Sequence, residues 1–451
     1  MGSWWLVFAR GGAGSSVLIS PFLRPENIVH HTMKISKNNA NRASSSKRVM
    51  TRLREITYKA GLTIARRGAI IATAFILAAC AVKPQQSAPP STPPESGSAR
   101  SGGAALSLPG IFDDSGPLPA ARATVKTRWI PVRWADLPGF GEDPLFEAWN
   151  AWIKSCERPG PAFAPLCKEV RQLSIASGEQ QRAWMSSRLQ PYRVESLQGV
   201  ADGQLTSYYE PVMKASRQPV PGYEVPLYRT PAGLGSRKPW FSRQDIETLP
   251  EAKAALRGRE IAWLADPIDA LLLHIQGSGR LSLVEADGSQ RTVRVAFAGS
   301  NDQPYRSVNQ WLLEQGVTRI NPWPDATKAW AAQNPQRVNQ LLWSNPRYIF
   351  FKEEALSELD AAFGPKGAQG VPLTPGRSIA VDRDAIPYGT PVWLVSRGGA
   401  ASLQKLVMAQ DTGSAIVGPV RADYFAGTGA EAGEFASRVN QPLRLWALWP
   451  K

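Results

Sequence analysis

Between Ser378 and Phe425 the chain alternates short β-branched runs with tight turns, and this stretch constrains the fold more than any other. Ile379–Val381, Val392–Val395 and Leu406–Met408 are the runs; Pro387-Tyr388-Gly389 and Asp411-Thr412-Gly413 are among the turns. Runs this short, punctuated this often, specify a small, sharply turned β-barrel rather than helices. Asp382, Asp411 and Asp423 are each expected just after such a run, where the backbone leaves the sheet. Carboxylates placed there are held by rigid strands and can still face a groove.

Charge decides against one broad class of function. The formal charge is +15, but residues 1–79 hold twelve Lys/Arg against two Asp/Glu, leaving 40 basic and 35 acidic residues elsewhere. No Lys/Arg stripe with interleaved aromatics replaces that head, so nucleic acid is not an expected partner. Within the head, Arg66 and Arg67 precede the apolar run Ala69–Ala79, which ends at Cys80. The run falls short of the roughly 20 residues a membrane span needs and suits the core of a secretory signal. Leu77-Ala78-Ala79-Cys80 resembles the bacterial lipobox, which implies lipidation at Cys80. Ala81, rather than Asp, follows, which implies the outer membrane and a periplasmic body. Met50 would start a signal of ordinary length, so residues 1–49 read as an upstream over-extension and 1–79 as discarded. Residues 80–119, with Pro pairs at 89–90 and 93–94, read as a flexible tether.

The chain has 451 residues, 43% of them hydrophobic, enough for two modest cores or one large one. Trp129–Leu137 reads as a strand, and Asp143–Arg158 carries Leu145, Phe146, Trp149, Trp152 and Ile153 at helical spacing. Outside the cytoplasm Cys156 and Cys167 are expected to form a disulfide, a staple rather than a site. No metal is expected, since the chain has three histidines and two of them, His30 and His31, lie in the head. Leu205–Val212 is a strand on which Tyr208 and Tyr209 point to opposite faces. From about 213 the texture changes: a capped helix from Ser242, a strand at Glu260–Leu264, a buried helix at Pro267–Ile275 and a hairpin across Asp287-Gly288. Arg347–Phe351 returns to strand character. The expected organisation is an outer domain from 120–212 and 346–451, with a second domain inserted at 213–345. Gln276-Gly277-Ser278-Gly279 lacks the following helix and lysine of a phosphate loop. His274, in an apolar helix, reads as a hydrogen-bonded structural histidine.

Asp411-Thr412-Gly413-Ser414 matches the signature of aspartic proteases, but that chemistry needs two such aspartates and the chain has one D-T-G. The wider pattern points elsewhere. Ala380-Val381-Asp382, Ile386–Thr390, Gln410–Ile416 with Gly418, and Arg421–Phe425 together resemble the 3D domain, named for its three aspartates. With Tyr208–Pro211, His274–Gly279, Tyr305-Arg306-Ser307 and Asn345–Phe351, the chain over roughly 125–449 resembles the membrane-bound lytic murein transglycosylase A family. The resemblance implies a mainly β fold with some α: a double-psi β-barrel (3D domain at about 376–449), a smaller β-rich domain inserted in it, and a groove between them for peptidoglycan glycan strands. It implies cleavage of the MurNAc–GlcNAc β-1,4 bond with a 1,6-anhydro-MurNAc product, no cofactor, and unknown partners among wall-synthesis or divisome proteins. The alternative reading is a non-catalytic peptidoglycan-binding lipoprotein of the outer membrane.

By the same resemblance Asp423 is the acid and then the base, which requires a raised pKa from burial or a neighbouring carboxylate. Asp411 is the expected neighbour, or else a brace for its own turn. Arg421, two residues away on a strand, would oppose the shift. Tyr208, Tyr209, Gln276 and Ser278 are the groove candidates, since aromatic faces stack on sugars and polar tips bond hydroxyls. Asp382 is expected to be structural first and a substrate contact second.

Overall fold

The computed structural model describes residues 115–317 and 324–451. The lipobox cysteine, the signal and the tether as far as residue 114 lie outside them. Among the described residues no helix is long and apolar enough to cross a membrane.

In chain order the first strands are β1 (Arg122–Ala123), β2 (Thr127–Pro131), β3 (Leu189–Ser196) and β4 (Gly203–Glu210). The next are β5 (Val212–Ser216), β6 (Val225–Tyr228), β7 (Glu260–Leu264), β8 (Ser278–Val284), β9 (Gln290–Ser300) and β10 (Ile349–Ala355). The last are β11 (Ser378–Val381), β12 (Pro391–Arg397), β13 (Ser402–Asp411), β14 (Arg421–Thr428) and β15 (Asn440–Pro450). They form two sheets: nine strands ordered β1-β2-β3-β15-β12-β13-β11-β14-β4, and six ordered β10-β9-β8-β5-β7-β6.

The first sheet closes on itself. The start of β15 pairs with β4, its middle with β12 and its end with β3. The ring β4-β14-β11-β13-β12-β15 is therefore a barrel, in which β4 runs parallel to β14 and β11 parallel to β13. The fold is thus mainly β with some α, a barrel with a second β-rich unit inserted, as the sequence implied. Period-2 alternation explains why these strands read as unbroken apolar runs. Val407 and Ala409 of β13 point into the barrel, while Leu406 and Met408 point outward under Trp149 and Trp152 of the helix Phe146–Ser155. That helix ends at Cys156, whose disulfide to Cys167 joins it to the helix Cys167–Gln172.

The second sheet carries the helix Pro267–Gln276, capped by Asp266 at its start and ended by Gly277, whose φ of +81° suits glycine. Leu273 packs on the sheet, and Ile268 and Leu271 pack on helices Val308–Glu314 and Val338–Trp343, so the helix buries two apolar faces and leaves Asp269 to pair with Lys328. The strand read at Arg347–Phe351 and assigned to the outer domain belongs to this sheet: β10 pairs with β9 along its whole length. Ile349 and Phe351 bury on one face and Phe350 on the other, a pattern that marks a strand without saying which sheet receives it.

Between β4 and β5 the chain crosses from barrel to second sheet at Pro211, and the residue before it is a carboxylate with no solvent exposure. Glu210 accepts from Arg294 Nε at 2.5 Å, Arg280 Nε at 2.8 Å and Thr428 Oγ1 at 2.9 Å. Both arginines also donate to the carbonyl of Phe363. One buried ionic cluster thus ties β8 and β9 of the second domain to β4 and β14 of the barrel.

Candidate active site

A groove runs between the two sheets, with a wide arm of about 620 Å³ and a narrow arm of about 270 Å³. Tyr208, His274, Gln276 and Asp423 line both arms. A larger hollow of about 810 Å³ on the outer face of the barrel, by Arg397 and Trp446, receives none of the motif aspartates.

Asp423 is not at a strand end, as the sequence reading placed it, but third in β14, in register with Thr206 of the parallel β4. Thr206 Oγ1 donates to Asp423 Oδ1 and itself receives Arg421 Nη2 at 2.7 Å. Burial raises the Asp423 pKa to about 6, against the opposing pull of the Thr206 hydrogen bond and of Arg421, with a smaller upward push from Asp411. Desolvation is the largest of these effects and outweighs both the Thr206 hydrogen bond and the charge of Arg421, which itself donates to Thr206 and to the carbonyl of Ala422.

Asp411 ends β13. Its Oδ2 accepts from Tyr208 Oη at 2.7 Å and its Oδ1 from the Ala368 N–H at 2.9 Å. Burial raises its pKa in spite of these donors, and burial likewise lifts the Tyr208 phenol well above its ordinary value. Tyr208 therefore holds Asp411 and rests on Phe425, with ring centroids 5.3 Å apart, rather than offering a bare face to a sugar. Tyr209 lines neither arm; its ring lies against Gly433, where a Cβ would fall 2.8 Å from it. Gln276 Oε1 accepts the Tyr209 N–H at 3.1 Å, which fixes the amide so that Nε2 is free to donate into the groove. Ser278 opens β8 and lines the wide arm.

Asp382 stands behind the site. It pairs with Lys126 at 2.8 Å and accepts the N–H of Gly418 at 2.9 Å, so it braces the loop that carries Gly413–Ile416 to the groove wall. His274 accepts from the buried Arg243 at Nδ1, 2.9 Å away, which places its proton on Nε2. Burial and Arg243 hold its pKa well below 6.5, so it is an uncharged structural ring beside Tyr348 and Phe351. Among the described residues no group of His, Cys, Asp and Glu has the makings of a metal centre.

Sequence reasoning assigned no groove role to Thr206, Tyr305 or Arg347, though the last two stand in motifs it used; all three line the narrow arm. Alternation along β4 carried the signal for the first: Thr206 and Tyr208 share a face, so whichever face meets Asp411 also meets Asp423. The arrangement offers one half-buried acid whose pKa is pushed up towards neutrality, a second carboxyl held by two donors, and amide and hydroxyl groups along an open cleft.

Comparisons with known proteins fit this geometry. Residues 204–352 match the family model described as the MltA specific insert domain, and residues 377–449 that of the 3D domain. Membrane-bound lytic murein transglycosylase A of Escherichia coli (strain K12) is 31% identical over 284 residues, 61% of this chain and 73% of that protein. The solved lytic transglycosylase LtgG of Burkholderia pseudomallei is 40% identical, with 74% of this chain covering 100% of that one and a TM-score of 0.50. MltA from Neisseria gonorrhoeae, in its monoclinic form, is 27% identical over 74% of this chain and 96% of that one, with a TM-score of 0.61. Fold, groove and relatives together define a lytic murein transglycosylase, a lyase acting on peptidoglycan. The chain belongs to the membrane-bound lytic murein transglycosylase A family.

Proposed function

We propose that the groove holds a glycan strand of peptidoglycan and that Asp423 cleaves its MurNAc–GlcNAc β-1,4 bond, leaving a 1,6-anhydro-MurNAc end. What supports this reading is the place of Asp423 on the groove wall, hydrogen-bonded to Thr206, where burial pushes its pKa up to about 6. As a carboxylic acid it gives its proton to the glycosidic oxygen while the C1–O bond breaks. As a carboxylate it then takes the proton of the C6 hydroxyl while O6 closes on C1. No water enters, so the second carboxylate that activates water in inverting hydrolases has no counterpart to supply. Ring closure within one sugar also has a proximity advantage of up to about 7–11 kcal/mol in well-oriented cases. Asp411, pinned by Tyr208 and Ala368, supports the acid by keeping a carboxyl group nearby.

Digestion of purified sacculi with mass spectrometry of the products tests the reaction. Anhydro ends, about one water lighter than reducing ends, are expected; reducing ends would mean hydrolysis, and no release would mean a binding protein. The same assay run against pH reads the acid. The free chain needs Asp423 protonated, so kcat/KM is expected to be level below pH 6 and to fall about tenfold per pH unit above it. A profile flat to pH 8 would remove Asp423 from the acid role.

Lipidation at Cys80 would tether this body to the periplasmic face of the outer membrane. Cys80→Ser is expected to move the protein from the membrane fraction to the soluble periplasm; a variant that still sediments with membranes sinks the anchor.

A further inference from the structure

The wide arm of the groove carries cations that the cleavage reaction does not use. Arg158 and Lys366 stand on its barrel side, and Arg347 and Lys352 on the side of the second domain. Arg158 follows the disulfide-bonded Cys156; its side chain lies against Gly370, and its carbonyl accepts from Gln369 Nε2 at 3.1 Å. Lys366 sits in the adjoining loop, which a bridge to Pro372 and the Gln369 N–H to Gln410 carbonyl bond hold against β13. Arg347 donates its side-chain hydrogen bond to the carbonyl of Gln303, at 3.1 Å, and feels the charge of Asp302 without forming an ion pair with it. Among the described residues no carboxylate forms an ion pair with Arg158, Arg347 or Lys366. The acids lining the same arm are already engaged: Glu354 pairs with Lys352 at 2.7 Å, and Asp411 and Asp423 are half-buried and hydrogen-bonded.

Three unpaired cations on two facing walls make an electropositive recess opening beside the acid. The amino-sugar backbone of a glycan strand bears no charge where its lactyl groups are amide-linked to peptide, so it gives these cations nothing to bind. The negative charge of such a strand is in the carboxylates of the short peptides it carries. We propose that the wide arm binds the carboxylates of a peptide stem carried by a MurNAc residue next to the scissile bond. The substrate class is then the peptide-substituted strand, an inference that rests on reading the groove as a murein-cleaving site. Guanidinium and ammonium groups at loop positions on both walls suit carboxylates that sit at different places along a flexible peptide.

The test compares the full chain with an Arg158→Gln/Lys366→Gln variant on soluble glycan strands, either bearing their peptides or stripped of them by an amidase and then amidated at the lactyl carboxylates this frees. On peptide-bearing strands the variant is expected to show KM raised about tenfold with kcat unchanged, since charged hydrogen bonds of this kind are lost equally from ground and transition states. On stripped strands it is expected to match the unaltered chain, and Arg158→Lys/Lys366→Arg should restore most of the loss. An equal loss on both strands, or no loss on either, overturns the proposal. If the unaltered chain cuts neither strand, the murein-cleaving reading fails instead. Binding of the same variants to surface-immobilised strands, peptide-bearing or stripped and amidated, then decides the peptide site by itself, because selective loss on peptide-bearing strands supports it and any other pattern overturns it.

Discussion

Asp423→Asn is expected to slow the release of fragments from sacculi by about 10²–10⁴-fold, the range that general acid–base catalysis supplies, with sacculus binding unchanged. Asparagine keeps the shape of the side chain and an oxygen for Thr206 to donate to, but it can neither give nor take the proton. Stability separates this from simple damage to the fold. The folded chain raises the Asp423 pKa from 3.8 to about 6, so the contribution of this group to stability is present below pH 4 and is lost as pH rises through 6. Above that pH a buried charge is carried at a cost, which asparagine removes. The variant is therefore expected to be up to about 3 kcal/mol more stable than the unaltered chain at pH 8, with the gap closing below pH 4. Urea unfolding at the two pH values measures it. Activity within about tenfold of normal would move the acid elsewhere, first to Asp411.

Glu210→Ala is expected to cost about 3–5 kcal/mol in urea unfolding, because it leaves Arg280 and Arg294 buried opposite nothing. The side chains of these arginines are 13% and 7% exposed, so water cannot take over from the carboxylate without the junction opening. Since the cluster ties β8 and β9 to the barrel, loss of groove geometry should accompany the loss of stability and appear as reduced kcat. Replacing all three ionic residues with apolar ones of similar size should recover most of the stability, as paired burial of charge is close to neutral against good packing. A cost below about 1 kcal/mol for Glu210→Ala would show the cluster to be ornamental.

The barrel strands were legible because local chemistry writes them: β-branched runs broken by Pro-Tyr-Gly and Asp-Thr-Gly turns fix β11 almost to the residue and mark the cores of β12 and β13, whose ends extend beyond the apolar runs. Strand identity was readable where strand destination was not. Arg347–Phe351 looked extended, yet its partner β9 ends nearly fifty residues earlier, and no local signal tells such a strand which sheet it joins. The same limit governs the tyrosines of β4. Alternation predicts that Tyr208 and Tyr209 part company, but only the fold shows that Tyr208 faces the aspartates and Tyr209 the helix Ala430–Arg438. Asp423 came from the resemblance of its motif; its perturbed pKa could not, because burial is a property of the closed barrel. The Glu210 cluster was invisible for a related reason: its partners lie 70 and 84 positions away, and none carries a motif.

β15 touches three other strands, and it is the last strand of the chain. The second sheet is complete at Ala355, whereas the barrel ring is closed by the pairing of β4 with Asn440–Leu443 of β15. In that seam Asn440 stands opposite Thr206, whose hydroxyl donates to Asp423. The strength of the acid is therefore tied to closure of the ring, because an open ribbon would leave the carboxyl group solvated and unable to hold its proton near neutrality.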